Sequence, residues 1–153
     1  MPNDCFNRVT IHCDVSLAQD LEILIDSLQT DELALNPTNV FNFNSIIQMP
    51  PELMQMEERY HQRKGLPDDV TKARLRKEHG SDNWYDWCVK HWGTKWNSYN
   101  SRIIAQDKQH IVYTFDTAWS PPQPIITRLR EDCPDFRISA FYDEPGMELA
   151  GYL

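Results

Sequence analysis

The chain opens on a strict alternation of apolar and polar positions. Val9, Ile11, Cys13 and Val15 interleave with Arg8, Thr10, His12 and Asp14, and this period of two predicts a half-buried strand from about Arg8 to Val15. Ser16 stands three residues before Gln19, the spacing of a capping box, and Leu17, Leu21, Leu24, Ile25 and Leu28 then recur at intervals of three and four. That pattern predicts an amphipathic helix. A polar loop through Asn36-Pro37 leads to a second predicted strand, about Val40 to Ile47, which Pro50 and Pro51 end.

Residues 50 to 100 are less regular and read as helical. Leu53, Met56 and Tyr60 share one side of a predicted helix that Gly65 stops. Pro67 to His79 forms a second, with Asp68 and Asp69 at its start, Arg74, Arg76 and Lys77 near its end and Gly80 as its stop. Ser81 or Asp82 caps a third, which bears Trp84, Trp87, Cys88, His91 and Trp92 and closes at Gly93.

Period-two segments then return. Arg102 to Gln106 and His110 to Trp119 read as a hairpin around Asp107-Lys108. Ser120-Pro121-Pro122-Gln123 has the signature of a helix start, Ile125, Ile126 and Leu129 supply its apolar side, and Cys133-Pro134 ends it. Phe136, Ile138, Ala140 and Tyr142 alternate in the last main strand; Glu144-Pro145-Gly146-Met147 suits a turn into a short return strand, Met147 to Leu153. Setting aside 50–106 leaves βαββαβ. The expectation is therefore an α+β, ferredoxin-like antiparallel sheet in a single domain, 1–153. A helical, Trp-rich insertion, about 50–100, falls between its second and third core strands.

At 153 residues the chain can bury one core without staples. Its apolar runs are far shorter than the roughly 20 residues that cross a bilayer, and the first residues carry neither a basic region nor an apolar stretch. The expected location is the cytoplasm, with no membrane partner. The four cysteines, Cys5, Cys13, Cys88 and Cys133, read as free structural thiols. Charge is uneven. Residues 59–77 hold seven bases (Arg59, Arg63, Lys64, Lys72, Arg74, Arg76, Lys77) against Asp68 and Asp69, so this stretch carries +5 and leaves −13 for the rest of a chain whose total is −8. The overall sign argues against wholesale phosphate binding, while the stretch itself is a candidate basic patch. Acids at a helix start and bases at its end also suit the helix dipole, which is its structural explanation.

Several stretches resemble one family: Met1-Pro2-Asn3 with Cys5, Asn7 and Val9, then Trp92-Gly93-Thr94-Lys95-Trp96-Asn97, and Phe115-Asp116-Thr117-Ala118-Trp119-Ser120-Pro121-Pro122. Tyr142-Asp143-Glu144-Pro145-Gly146-Met147, with Ala150-Gly151-Tyr152 after it, completes the set. The chain resembles the YubB ferredoxin-like domain proteins of phages, prophages and conjugative plasmids. The resemblance implies a ferredoxin-like fold and a mobile-element origin; it supplies no catalytic residue. Asp4 stands where that family tends to have Trp.

Four of the five tryptophans, Trp84, Trp87, Trp92 and Trp96, fall within one short segment. They fit either a core stripe that packs the insertion or an exposed platform for a protein partner, with Trp92, Lys95, Trp96 and Trp119 as its anchors. The sheet face away from the helices is expected to show Arg8, Thr10, His12, Asn42, Asn44, Thr114, Asp116, Arg137, Ser139 and Phe141. Such a face resembles the RNA-binding surface of RRM domains, yet its one aromatic, Phe141, is placed on an edge strand, so a solvated or covered face is expected. Asp116 and Asp143 are expected at opposite edges and Glu144 in a turn. Cys88 and His91, with His110 as a conceivable third, fall short of the four ligands of a closed zinc site. No catalytic residue, metal or cofactor is assigned, and the reading leans away from an enzyme. It is of a small cytosolic interaction module of a mobile element, acting on a host or phage protein. The alternative is a nucleic-acid-binding accessory protein that uses the basic insertion.

Overall fold

In the computed structural model, which describes residues 3–29, 39–65 and 67–153, strand β1 runs from Asp4 to His12. It starts earlier than the apolar alternation suggests, because the inward-facing residue at position 7 is polar. Asn7 is buried, and its amide donates to the Thr117 hydroxyl and the Cys5 carbonyl, both at 2.9 Å. A buried amide with both bonds made costs little. Helix α1, Ala18–Leu28, buries Leu21, Ile25 and Leu28. A short 3-10 turn, Val15–Leu17, precedes it, so Ser16 lies inside that turn and does not cap the helix. The loop expected at Asn36-Pro37 lies outside the described residues.

Three helices follow: α2, Pro51–His61; α3, Asp69–His79; and α4, Trp84–Trp92. Asp68 caps α3, and Asn83 caps α4 in place of Ser81 or Asp82. Gly80 and Gly93 end α3 and α4 in the left-handed conformation, as expected. Strands β2, Tyr99–Gln106, and β3, His110–Ala118, form the expected hairpin; α5, Gln123–Asp132, β4, Arg137–Glu144, and β5, Leu149–Tyr152, complete the chain. The sheet order is β2-β3-β1-β4-β5 with every neighbouring pair antiparallel. Its first four strands have the ferredoxin-like order, and the expected α+β, ferredoxin-like class holds.

One strand assignment is corrected. Residues 40–47 are not a strand; the second core strand is β2, so the helical insertion lies between α1 and β2 and not between the second and third core strands. Phe41 and Phe43 do alternate inward, and both are fully buried. Their backbone N–H groups, however, bond to side chains and not to a ladder. Phe41 N–H donates to Asn39 Oδ1 and Phe43 N–H to Asn97 Oδ1, each at 2.9 Å, and Met49 N–H donates to Asn44 Oδ1 at 2.7 Å. Asparagine amides compete with regular structure in this way. A 3-10 turn, Phe43–Ser45, results. Asn42 and Asn44 therefore belong to the connector and not to the open sheet face.

The core joins both parts of the chain. Phe41 stacks on Phe115 of β3 at 4.7 Å, and Phe43 meets Trp92 of α4 edge-on at 5.9 Å. Leu53, Leu75, Trp87 and Cys88 of the insertion belong to the same buried cluster as Val9, Ile11, Tyr113 and Ala140 of the sheet. Among the described residues, no helix is long and apolar enough to cross a membrane.

Candidate functional site

The site begins at the end of α4. Gly93, at φ +80°, turns the chain back. The Ser120 hydroxyl donates to the Gly93 carbonyl at 2.6 Å, and the buried Thr94 hydroxyl donates to the Ala118 carbonyl at 2.9 Å. Ser120 thus serves as a clamp on this corner; α5 is instead entered through Pro122. The two bonds bring residues 94–96 alongside the end of β3, where Trp119 adopts φ +69° and donates its N–H to the Asn3 carbonyl. Lys95 Nζ consequently sits 4.1 Å from the ring centroid of Trp96 and 4.6 Å from that of Trp119. Both rings remain open to solvent, Trp96 at 37% and Trp119 at 48%.

Trp92 is not part of this cluster. It is 4% exposed, and its indole N–H donates to the Ile47 carbonyl at 2.8 Å. Its expected place as a partner anchor is corrected: it is a core ring, as is Trp87. Trp87 and Trp92 are therefore the buried packing stripe, Trp84 is partly buried beside them, and of the four clustered tryptophans only Trp96, after the Gly93 turn, is exposed.

Lys95 and Trp96 also border a cavity of about 640 Å³ between α2 and α4, whose wall includes Arg59, Tyr60, His61, Lys72, Trp84 and Tyr85. The rings run as a chain of contacts: Tyr60 to His61 at 5.8 Å, His61 to Trp84 at 6.4 Å, Trp84 to Tyr85 at 5.8 Å. A second cavity of about 700 Å³, which also holds Met49, Cys88 and Asn97, shares His61, Lys95 and Trp96 with the first. Burial raises Glu57 above the usual carboxylate range there, with His61 Nε2 3.9 Å from its oxygen opposing the shift.

The basic stretch divides. Arg74 is held by Glu52 at 3.1 Å and Glu78 at 2.8 Å, and Arg76 by Asp82, whose carboxyl the Asn83 amide and Arg76 keep below its usual range. Arg59 and Lys72 reach the cavity, while Arg63, Lys64 and Lys77 are exposed outside it. Glu52, Glu78 and His79 cluster closely enough to hold a cation, but Arg74 already bridges the two carboxylates. The structure thus brings Lys95, Trp96 and two of the seven bases to one cavity, with Trp119 on the outer side of Lys95. Tyr60, Trp84 and Tyr85 complete the wall, and only the fold assembles them, because α2 and α4 meet through tertiary packing.

Asp116 and Asp143 do not lie at opposite edges: both pair with Phe6, one on each side of β1. β3 and β4 each run antiparallel to β1 and so parallel to one another, which puts their ends on the same side. Two strand spacings, about 10 Å, still separate them, and Asp116 accepts a hydrogen bond from Asn100. Glu144 is buried and accepts the Met147 N–H across the turn. Cys88 and His91 join no ligand-like cluster among the described residues. Asp4, the departure from the resembled family, accepts the Tyr99 hydroxyl at 2.6 Å.

Residues 91–153 match the model of a family described as the ferredoxin-like domain in Api92-like protein. The whole chain is similar to the crystal structure of protein Api92 from Yersinia pseudotuberculosis, with a TM-score of 0.50 and 10% identity over 99% of this chain and 93% of that one. At that identity the likeness concerns the fold. No curated protein matches. The matched stretch takes in β2 to β5 and the Gly93 corner, while α2 and α3, which form the far wall of the cavity, lie outside it.

Proposed function

We propose that the chain is a protein-interaction module whose cavity between α2 and α4 takes a short acidic segment of a partner, with an apolar or aromatic side chain seated among the rings. The observation that carries this reading is the convergence on one cavity of Tyr60, Trp84, Tyr85 and Trp96 with Arg59, Lys72 and Lys95. Aromatic rings and arginine are enriched among interface hot spots. The resemblance to the YubB proteins supports a mobile-element setting, in which the partner is a host or phage protein in the cytoplasm. A nucleic acid on the basic stretch is less well supported, since Arg74 and Arg76 are already engaged by carboxylates.

The test is selection of short peptides from a random library on the full chain, followed by calorimetry. Selected peptides should be enriched in Asp and Glu beside Trp, Phe or Leu. Trp96→Ala should weaken them by tenfold or more, as loss of a hot-spot ring does, roughly 2 kcal/mol. Trp96→Ala should also leave the fold intact, whereas Trp92→Ala should cost roughly 3–5 kcal/mol of stability. Peptides without acidic enrichment, or equal affinity for Trp96→Ala, would overturn the reading.

A further inference from the structure

The sheet face turned away from the helices carries a row of side chains that crosses all five strands. The register pairs Arg102 with Thr114, Thr114 with Arg8, Arg8 with Phe141, and Phe141 with Tyr152. The Arg8 guanidinium lies 5.4 Å from the Phe141 ring centroid, and the Phe141 ring meets Tyr152 edge-on at 5.4 Å. Because β5 pairs outside β4, Phe141 does not lie on an edge strand as the sequence suggests; it has an aromatic neighbour, and Tyr152 is 68% exposed.

About 14 Å further along β1, His12 pairs with His110 of β3, and their ring centroids are 4.6 Å apart. Arg137 of β4 pairs with His12 from the other side. Between the two rows, Thr10, Ile104, Val112 and Ser139 line a shallow cavity of about 470 Å³. Arg8, Arg102 and Arg137 are exposed; among the described residues Arg8 and Arg102 make no salt bridge, and the nearest acid to Arg137 is Asp14 at 4.0 Å. None of these residues borders the cavity between α2 and α4.

Rings at two levels, with three exposed guanidinium groups beside them of which only Arg137 has an acidic partner among the described residues, match the needs of a flexible chain of stacked bases and phosphates. Phenyl, phenol and imidazole faces all accept a base by stacking. Asp116 and Asp143, which flank Phe6 one row beyond Arg8, would repel the second backbone of a duplex laid across the same face. We propose that this open face binds single-stranded nucleic acid, with Phe141, Tyr152 and the His12–His110 pair stacking bases and Arg8, Arg102 and Arg137 holding phosphates.

Fluorescence anisotropy of labelled oligo(U) RNA and oligo(dT) DNA, each about twelve nucleotides long, tests this on the full chain. Three phosphate contacts on a single strand predict a log–log salt slope of about −2, or roughly a twentyfold loss of affinity between about 50 and 200 mM salt. Phe141→Ala and Tyr152→Ala should each weaken binding by roughly five- to a hundredfold. Arg8→Gln and Arg102→Gln should each reduce the slope by about 0.7. Arg128→Gln, on α5 and paired with Asp132, should leave affinity unchanged, and circular dichroism should show every variant folded. A preference for RNA or for DNA identifies the source of the strand, and either supports the proposal. It is overturned if wild type binds neither oligonucleotide at low salt, if a duplex binds as tightly, or if Arg128→Gln weakens binding as much as Arg8→Gln.

Discussion

The ammonium group of Lys95 stands 4.6 Å from the ring centroid of Trp119, a residue beyond the β2–β3 hairpin in sequence. With Trp96 on its other side at 4.1 Å, the charge is sandwiched between two rings that come together only because Gly93 and Thr94 are bonded to Ser120 and Ala118.

Each such contact at a half-exposed site contributes about 0.5–1 kcal/mol. Lys95→Met, which keeps the stem and removes the charge, should therefore lower stability by about 1 kcal/mol in urea unfolding, while Lys95→Arg should retain most of it. Combining Lys95→Met with Trp119→Ala should cost less than the sum of the two, because the second change removes a contact already lost. Strict additivity would show that the lysine and the ring are independent.

Gly93 and Gly80 both close helices at positive φ, but their surroundings differ. A Cβ on Gly93 would lie 2.7 Å from Pro124 Cδ and 3.2 Å from the Pro121 carbonyl, while one on Gly80 would meet only the Lys90 ammonium at 3.1 Å. Both alanine variants carry the left-handed penalty of about 1 kcal/mol. Gly80→Ala should cost little more, since a lysine tip moves freely. Gly93→Ala should cost about 2–3 kcal/mol, because backbone and a proline ring must give way where α4 meets the start of α5. In thermal unfolding, where 1 kcal/mol is worth about 2–4 °C at this size, Gly93→Ala should melt well below Gly80→Ala.

The fold was legible wherever side-chain period and backbone bonding agree. In β1, β3, β4 and the apolar side of α5, alternation or helical spacing coincides with the actual ladder or helix. It misled at Val40 to Ile47, where Phe41 and Phe43 alternate inward as in a strand while Asn39, Asn44 and Asn97 take the backbone bonds; spacing cannot reveal which partner an N–H finds. Lys95 and Trp96 were singled out by aromatic density after a helix-ending glycine, whereas no local pattern ties Trp119 to them; the bonds of Ser120 and Thr94 at the corner do that. The same density wrongly included Trp92, because burial depends on which face of α4 meets Phe43. Tyr60, Trp84 and Tyr85 carry no local signal of a shared wall, and Phe141 could not be placed until β5 was seen to pair outside β4.

The four cysteines are free; Cys5, Cys13 and Cys88 are buried, and Cys133 is half-exposed. Burial pushes the Cys5 thiol up to about 11 and the Cys88 thiol up to about 12, and raises Cys13 and Cys133 as well. The thiolate is the reactive form, so folded protein at neutral pH should resist alkylation. Iodoacetamide followed by peptide mass mapping should label Cys133 first and Cys5, Cys13 and Cys88 only after denaturant is added. Early labelling of Cys88 would contradict its place in the core.

His91 should leave a pH signature of a definite sign. Its ring stacks on Trp87 at 4.6 Å, and its Nε2 is buried without a hydrogen-bond partner among the described residues. Burial, and to a lesser degree Lys90, hold its pKa below the ordinary 6.5. Below the folded value, both folded and unfolded chains are protonated, and the folded state bears the full cost of the charge. Between the folded value and 6.5 the unfolded chain binds the proton and the folded chain does not, so stability rises with pH; above 6.5 the contribution is flat. His91→Phe keeps a ring against Trp87 and removes the titration. In urea unfolding from about pH 5 to pH 8, the stability of wild type minus that of His91→Phe should climb with pH and level off once the unfolded histidine is neutral, with all other titrating groups cancelling in the difference. A difference that falls with pH would mean that a partner stabilises the imidazolium in the folded state, contrary to the buried, unbonded nitrogen.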